Sequence, residues 1–285
     1  SLVTASVDDL IDQLGVIADL AAADPTILGA HLEGPFLDAG HKGAHDPELL
    51  LAPHRSTVAR LIDAGRGALR QVTIAPELPG GLDAVRQLTD AGVTAAVGHT
   101  DADFAQATDA FEAGAGILTH AFNAMNGLHH RAPGPVAAAT ASDTVVLELI
   151  NDGVHVHPEM MRIAFAAAPG RIALVTDAMA AAGSADGAYR LGTLDVTVTD
   201  GVARLTHGDS IAGSTLTLDA ALRRAVTEVG IGLADAVAAV TSTPARAIGR
   251  GDDLGRLAPG YAADLVLLDA DFTVTAVWAD GEQIR

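Results

Sequence analysis

The chain of 285 residues contains no cysteine, which excludes disulfide bonds, thiolate metal ligands and cysteine nucleophiles. Basic side chains are scarce: 17 Lys and Arg stand against 36 Asp and Glu. The resulting net charge of −19 argues against non-specific binding to nucleic acids or anionic membranes. No apolar run approaches the ~20 residues that span a bilayer, and no signal-peptide pattern opens the chain. These absences favour a cytoplasmic protein that holds any metal ion through His, Asp or Glu.

What is present is enough apolar sequence, 49% of the residues, to bury a large core in one αβ domain or in a domain with an appendage. Short apolar runs alternate with amphipathic helices, a pattern typical of βα units around a parallel sheet. The first helix is well marked, because Ser6 can cap it and Leu10 and Leu14 lie on its apolar face. The predicted strands are Ile27–Leu32, Leu69–Ala75, Val93–Gly98, Gly116–His120, Val145–Ile150 and Ile172–Thr176. The further predicted helices are Thr57–Ala64, Leu82–Ala91, Asp103–Ala113, Pro158–Ala167, Leu216–Val229 and Leu233–Ala247.

Two later segments depart from the βα pattern. Alternating residues between Leu194 and Leu205, around the turn pair Asp200-Gly201, predict a β-hairpin. After Ala247 the composition shifts, and two apolar strands follow in a tail too short for an independent domain. We therefore expect a barrel domain over 1–247 with a hairpin insertion at about 190–208, and in 248–285 the carboxy-terminal part of a small β domain.

Polar motifs stand where apolar segments give way to loops. They are His31-Leu32-Glu33-Gly34-Pro35-Phe36, Gly98-His99-Thr100-Asp101, His120-Ala121-Phe122-Asn123-Ala124-Met125, Asp152-Gly153-Val154-His155 and Val175-Thr176-Asp177-Ala178. Parallel strands of an αβ barrel bring their carboxyl ends to one rim, where such folds carry their catalytic groups. The rim would gather carboxylates and histidines, which is enough for a metal site with a base beside it.

These motifs, with the loop His41-Lys42-Gly43-Ala44-His45, resemble in order those of the N-acetylglucosamine-6-phosphate deacetylases, a family of the amidohydrolase superfamily. The resemblance runs over nearly the whole chain, and ends in a tail general to the superfamily. It implies a (β/α)8 TIM-like barrel with a remnant of a small β-sandwich domain. That family has a first barrel strand with a His-x-His or equivalent pair, for which this sequence has no counterpart. We therefore expect a barrel that lacks its first strand and leaves a seam of unpaired backbone groups.

Glu33, His99 and His120 supply three N or O ligands from separate strand ends and leave a coordination position open for water. The matching residues of the family bind the metal. The alternative for each residue alone is structural: a Glu that caps a bend, or histidines satisfied in the core. Three such ligands in a chain without cysteine predict one divalent ion, for which we expect zinc, with Fe2+, Mn2+, Co2+ or Cd2+ as alternatives.

Asp177 follows an apolar strand and corresponds to the family's general base and acid, which takes a proton from the attacking water and passes it to the departing amine. The alternative is a turn or helix-capping acid. His155 resembles the histidine that contacts substrate and helps polarise the carbonyl, although a lone histidine is about as often a packing residue.

The resemblance also assigns substrate contacts. Arg131 and His45 would contact phosphate or sugar, with Arg131 reaching across the interface of a homodimer with shared active sites. The substrate loop would include Asn123 and Ala124, and a substrate-lining turn would include Ile211, Ala212 and Gly213. The simpler role of that turn is to close a strand and cap the next helix through Ser214. His41 and Lys42 are interpreted as solvated loop charge.

The resemblance therefore implies a metal-dependent hydrolase that removes acetate from N-acetylglucosamine 6-phosphate, giving glucosamine 6-phosphate in amino-sugar catabolism or cell-wall recycling. One alternative is another amidohydrolase acting on a related N-acyl sugar or cyclic amide. Another is an inactive shortened homologue that binds sugar phosphate. The expected partner is a small amino-sugar phosphate, not a nucleic acid or a membrane.

Overall fold

A computed structural model describes residues 1–208 and 210–285. Its centre is a sheet of seven strands, in which each strand pairs in parallel with the next one along the chain. The strands are β1 Leu2–Val3, β2 Ala30–Glu33, β3 Leu69–Ile74, β4 Thr94–Val97, β5 Ile117–Leu118, β6 Val146–Ile150 and β7 Ile172–Val175. The predicted parallel βα architecture is confirmed.

Helices connect these strands and cover the sheet. They are α1 Val7–Ala23, α2 Arg55–Ala64, α3 Gly81–Asp90, α4 Phe104–Glu112, α5 Gly134–Ala141, α6 Pro158–Ala167, α7 Leu218–Arg224, α8 Leu233–Val240 and α9 Ser242–Ala247. Single 3-10 turns occupy Ala39–His41 and Pro47–Leu49, and a π-helical turn, Ala225–Val229, continues α7. None of the helices in these described ranges is both long and apolar enough to cross a membrane.

The first helix forms as its sequence predicts. The Ser6 hydroxyl accepts the N–H of Asp9 at 3.2 Å and so satisfies one of the free donors at the helix start. Leu10 and Leu14 are buried against the sheet. The apolar periodicity of the sequence thus fixes which face of α1 packs inward.

The sheet is curled, because one cavity is lined both by Leu2–Val3 of the first strand and by Asp177, just beyond the last. Outward-facing side chains such as Leu147 and Leu149 of β6 join the main apolar cluster under the helices. Between them, Glu148 points the other way and accepts a hydrogen bond from Gln71 of β3 at 3.1 Å. β1 and β7 remain at the edges of the sheet, and no strand of the described ranges joins them.

Two smaller antiparallel sheets complete the fold. Strands β8 Gly187–Leu191, β9 Leu194–Thr199 and β10 Val202–Leu205 form the first, so the predicted hairpin is correct but incomplete by one strand. The second sheet contains β11 Leu265–Leu268, β12 Val274–Ala279 and β13 Glu282–Gln283. Leu268 and Phe272 of this tail pack against the main cluster, which ties it to the barrel.

Candidate active site

Four polar side chains stand at the carboxyl ends of the parallel strands. Glu33 is the last residue of β2, whereas His99, His120 and Asp177 each lie two residues after their strands end. These three have left-handed backbones, with φ of 47°, 27° and 48°. Non-glycine residues in this region are uncommon and concentrate at functional sites. The same left-handed turn after each of these strands places the side chains of His99, His120 and Asp177 over one rim.

Close approach of neighbouring strands makes this rim compact. A Cβ at Gly98 would lie 2.8 Å from Cβ of Thr119 and 2.9 Å from Cγ2 of Thr73. Only glycine therefore lets the ends of β3, β4 and β5 come together beneath His99.

Glu33, His99 and His120 form a compact buried cluster. Glu33 Oε1 lies 3.1 Å from His99 Nε2 and 2.9 Å from His120 Nε2, and the two ring nitrogens are 3.0 Å apart. Each residue is at most 7% exposed, and this is the group of potential ligands found among the described residues. Three such atoms can hold one divalent cation with a position left open.

The hydrogen bonding of His99 supports a cation at this point. His99 Nδ1 lies 2.8 Å from the carbonyl oxygen of His41, which can only accept, so Nδ1 carries the proton. In the neutral ring Nε2 then carries a lone pair and is an acceptor. It faces another acceptor, Glu33 Oε1, at 3.1 Å. Two acceptors at this distance need a positive charge between them, so the residues fit a divalent ion.

The electrostatics of the cluster agree. Burial alone would disfavour charge on either partner, but the hydrogen bond and negative charge of Glu33 raise the pKa of His120 to about 9. Where both rings carry a proton on Nε2, hydrogen bonds from His120 and His99 likewise outweigh burial and hold the pKa of Glu33 well below its usual range. The site is built to pair an anionic carboxylate with positive charge, whether from a proton or from a metal ion.

Asp177 faces the same cavity. Burial and the negative charge of Glu33 raise the pKa of this carboxyl to about 6, which leaves it ionised at neutral pH but basic enough to accept a proton. Its backbone carbonyl accepts the N–H of Ser214 at 2.7 Å, and the Ser214 hydroxyl donates to the carbonyl of Thr176. Ser214 thus holds the end of β7. The alternative that it caps the next helix is wrong, because the cap position of α7 is Thr217.

His155 is oriented by Asp152. Asp152 Oδ2 lies 2.6 Å from His155 Nδ1, while Oδ1 accepts the N–H groups of Val154 and His155 at 2.8 and 2.9 Å. Burial works against ionisation of Asp152, but these hydrogen bonds from His155 and Val154 lower its pKa. The pair directs the other ring nitrogen, Nε2, away from Asp152 and makes it the atom available to a ligand.

A cavity of about 850 Å³ joins these groups, a volume suited to a small-molecule ligand. Of the predicted site residues, ten line it: Glu33, His45, His99, His120, Asn123, Ala124, His155, Asp177, Ile211 and Gly213. Ala212 is fully buried behind this wall. His45 donates or accepts at 2.8 Å with Thr4 Oγ1, and burial lowers its pKa to about 4, so it meets a ligand as a neutral ring.

Arg131 is the exception among the predicted residues. It is exposed, its Nη1 lies 2.7 Å from His130 Nε2, and it is not among the described residues that line the cavity of its own chain. Within one chain, therefore, the structure does not bring Arg131 to the other predicted residues.

Sequence reasoning missed several contributors. His41 is not solvated loop charge: its ring is 24% exposed and contacts Asp38 at 2.8 Å, and its carbonyl holds His99. Arg204 of β10 and Gln13 of α1 also line the cavity. The signal for His41 was its place three residues after Asp38, whereas nothing local marked Gln13 or Arg204.

Comparisons with known proteins agree with this geometry. Residues 4–284 match the amidohydrolase family. The chain is 43% identical over 256 residues to an N-acetylgalactosamine-6-phosphate deacetylase of Escherichia coli O157:H7, which covers 90% of this chain and 68% of that protein. It is 37% identical over 258 residues to an N-acetylglucosamine-6-phosphate deacetylase of Vibrio furnissii, covering 90% of this chain and 64% of that protein, slightly less than two thirds.

Solved structures show the same likeness. An N-acetyl-D-glucosamine-6-phosphate deacetylase mutant of Mycobacterium smegmatis, in complex with N-acetyl-D-glucosamine-6-phosphate, matches with a TM-score of 0.94 and 47% identity. The match covers 99% of this chain and 74% of that one.

Proposed function

The chain belongs to the amidohydrolase family, and we propose that it is a metal-dependent deacetylase that converts N-acetylglucosamine 6-phosphate and water to glucosamine 6-phosphate and acetate. One observation carries the proposal: Glu33, His99 and His120 converge within hydrogen-bond distance on the cavity that Asp177 also lines. Three ligands with a base beside them are an arrangement suited to metal-assisted hydrolysis of an amide.

The residues have distinct roles in this proposal. Glu33, His99 and His120 would hold one divalent ion, for which we propose zinc, and the ion would supply Lewis-acid activation. Asp177 would accept the proton of the attacking water and pass it to the departing amine, since its raised pKa suits both transfers. His155, held by Asp152, would contact the acetamide group of the substrate through Nε2 and help to polarise its carbonyl.

The remaining residues would bind the sugar and its phosphate. We propose that His45, Asn123, Ala124, Ile211 and Gly213 contact the substrate directly, with Ala212 supporting the turn from behind. Because Arg131 stands outside the cavity of its own chain, we propose that it completes the phosphate site of a second copy in a homodimer. We further propose that the protein acts in the cytoplasm, and that 1–247 and 248–285 are its two structural units.

A second substrate deserves a direct comparison. The 43% identical relative of Escherichia coli is named for N-acetylgalactosamine 6-phosphate, which differs from the first substrate only in configuration at C4. Both sugars present the same acetamide and the same phosphate. The likeness of the chain therefore supports an N-acetylhexosamine 6-phosphate as the substrate class, with the C4 epimer as the alternative within it.

The test is an assay of hydrolysis by the purified chain with added Zn2+, followed as acetate release from the N-acetyl sugars and as ring opening of the cyclic amide. Four substrates are compared: both 6-phosphorylated sugars, unphosphorylated N-acetylglucosamine and a cyclic amide such as dihydrouracil. We expect turnover of at least one phosphorylated sugar, loss of turnover after chelation, and none in Glu33→Gln. Preference for the cyclic amide would instead favour another amidohydrolase activity, and binding of sugar phosphate without turnover would favour an inactive homologue.

A further inference from the structure

Glu77 stands outside the proposed catalytic and ligand-binding groups, yet it contacts the segment that follows His99. It lies three residues after β3, in the loop that leads to α3. Its Oε2 accepts the Thr100 hydroxyl at 2.5 Å, and its Oε1 accepts the N–H of Asp101 at 2.7 Å. One carboxylate thus uses both oxygens to hold the two residues directly after a candidate metal ligand.

Thr100 depends on this contact. The residue is fully buried, and its hydroxyl oxygen also accepts the N–H of Ala102 at 2.9 Å. Its own N–H donates to the carbonyl of Ala124 at 3.1 Å. A buried hydroxyl that lost Glu77 would have to keep its proton without an acceptor or turn and break the bond to Ala102.

The hydrogen bonds continue into the next loop. Asn126 Nδ2 donates to both the carbonyl oxygen and Oδ1 of Asp101, each at 3.0 Å. Glu77, Thr100, Asp101 and Asn126 therefore connect the loops that follow β3, β4 and β5. Ala124, two residues before Asn126, lines the cavity, so the chain of contacts ends at its wall.

His99 needs such support because its backbone is left-handed, with φ of 47°. A non-glycine residue keeps this conformation only where its surroundings impose it. On one side His99 is held by the carbonyl of His41 and the N–H of Asp38. The other side is held through Thr100 and Asp101, and the carboxylate that fixes both is Glu77.

We propose that Glu77 is a positioning residue that fixes His99 for metal binding and couples the loops after β4 and β5. This inference rests on the metal site of the proposed function. Glu77 acts through Thr100 and Asp101 and does not touch the ion or the substrate. Its effect is on where His99 Nε2 lies, so it is read out in the affinity for the ion rather than in the overall fold.

The experiment compares Glu77→Gln with Asp83→Asn. Both variants remove one negative charge, and Asp83 is an 84% exposed residue in the first turn of α3 that contacts Arg86. Zinc affinity is measured by competition with a chromogenic chelator, and thermal unfolding of the metal-free proteins is followed in parallel. We expect Glu77→Gln to bind Zn2+ about 10–100-fold more weakly, the range typical of residues that orient metal ligands, while Asp83→Asn matches the unaltered chain.

Thr100→Val provides a second route to the same contact, because it removes the hydroxyl and keeps the shape of the side chain. Thr100→Val should also weaken zinc binding. In the double variant the fold-loss of zinc affinity should be smaller than the product of the two single losses, since both changes break one interaction. If Glu77→Gln does not fold, Thr100→Val alone decides the matter.

Zinc affinity within twofold of Asp83→Asn in both Glu77→Gln and Thr100→Val overturns the inference. An unfolding temperature that falls in step with affinity in Glu77→Gln, with unaltered affinity in Thr100→Val, overturns it too, because Glu77 would then support only the fold. If the unaltered chain does not bind Zn2+, or if Glu33→Gln does not abolish the binding, the metal site of the proposed function is wrong and the inference fails with it. That result is distinct from normal binding that is insensitive to Glu77.

Discussion

Replacing Asp177 by Asn tests the proposed chemistry most directly. The amide has nearly the shape of the carboxyl but cannot accept a proton at neutral pH. General acid–base catalysis contributes roughly 10²–10⁴ in rate, so turnover of N-acetylglucosamine 6-phosphate should fall by at least ~10²-fold. Zinc content, measured by elemental analysis, should stay unchanged, because the three ligands Glu33, His99 and His120 are intact.

The pH dependence of turnover provides a second test of the role of Asp177. Asp177 must be ionised to act as a base, and burial and Glu33 raise its pKa to about 6. Activity should therefore fall tenfold per pH unit on the acid side, with an apparent pKa at or below about 6, because a bound cation favours the carboxylate. The residual activity of Asp177→Asn should lack this acid limb. Turnover near that of the unaltered chain, or an unchanged limb, would refute the assignment and leave His155 as the next candidate.

As the pH rises through about 6, activity should increase, whereas the free energy of unfolding of the metal-free chain should decrease. A carboxyl with a pKa of about 6 in the fold and 3.8 as its ordinary value binds more protons when folded between these pH values. Its contribution to stability is complete below pH ~4 and is lost as the pH rises through ~6. The two-unit difference corresponds to at most about 3 kcal/mol, so metal-free Asp177→Asn should melt above the metal-free unaltered chain at pH 8. Equal melting temperatures would contradict the raised pKa.

Three further outcomes are expected. Changing both His99 and His120 to Ala should abolish bound metal, measured by elemental analysis, and full metal content would contradict the ligand assignment. Arg131→Ala should lower kcat/KM for the 6-phosphorylated sugar by ~10–150-fold, from roughly 1.5–3 kcal/mol per charge-assisted contact, and hardly change it for the unphosphorylated sugar. Mixing Arg131→Ala chains with Glu33→Gln chains should restore part of the activity. Equal losses on both sugars, or no recovery in the mixture, would argue against a shared phosphate site. Asp152→Asn should lower kcat about tenfold with zinc affinity unchanged, since it disturbs the tautomer of His155 only, and a parallel loss of zinc would show a wider structural role.

The sequence predicted the regular elements wherever periodicity was strong. Strands β2 to β7 of the central sheet and the capped helix α1 follow from local pattern, whereas β1 is not among the predicted strands. Helix α5 was not predicted, because Gly134–Ala141 consists of small apolar residues and Pro without an amphipathic period. The helix predicted over Leu233–Ala247 divides at Thr241, and the one over Leu216–Val229 ends in a π-helical turn. The first break has a local cause, because Pro244 has no N–H to donate to the carbonyl of Val240, where α8 ends.

The contacts of side chains inside the curled sheet likewise could not be predicted from local sequence pattern. Glu148 interrupts an apolar strand and reads as an isolated acid, but in the fold it meets Gln71, 77 residues earlier in the chain. Burial raises the pKa of Glu148 to about 7, and only an opposing strand could supply its hydrogen-bond partner.

By itself, the sequence determined which residue types stand at the strand ends: the acid at the end of β2, the histidines after β4 and β5, and the acid after β7. Strand ends are local features, and parallel strands carry them to one rim. The tertiary structure alone decided the 2.9–3.1 Å convergence of Glu33, His99 and His120, the left-handed backbones of His99 and His120, and the hydrogen bond between Glu77 and Thr100. It also decided that Arg131 stays outside the cavity of its own chain. Distances, burial and the pKa values they set depend on which loops meet in space, and those meetings join residues tens of positions apart.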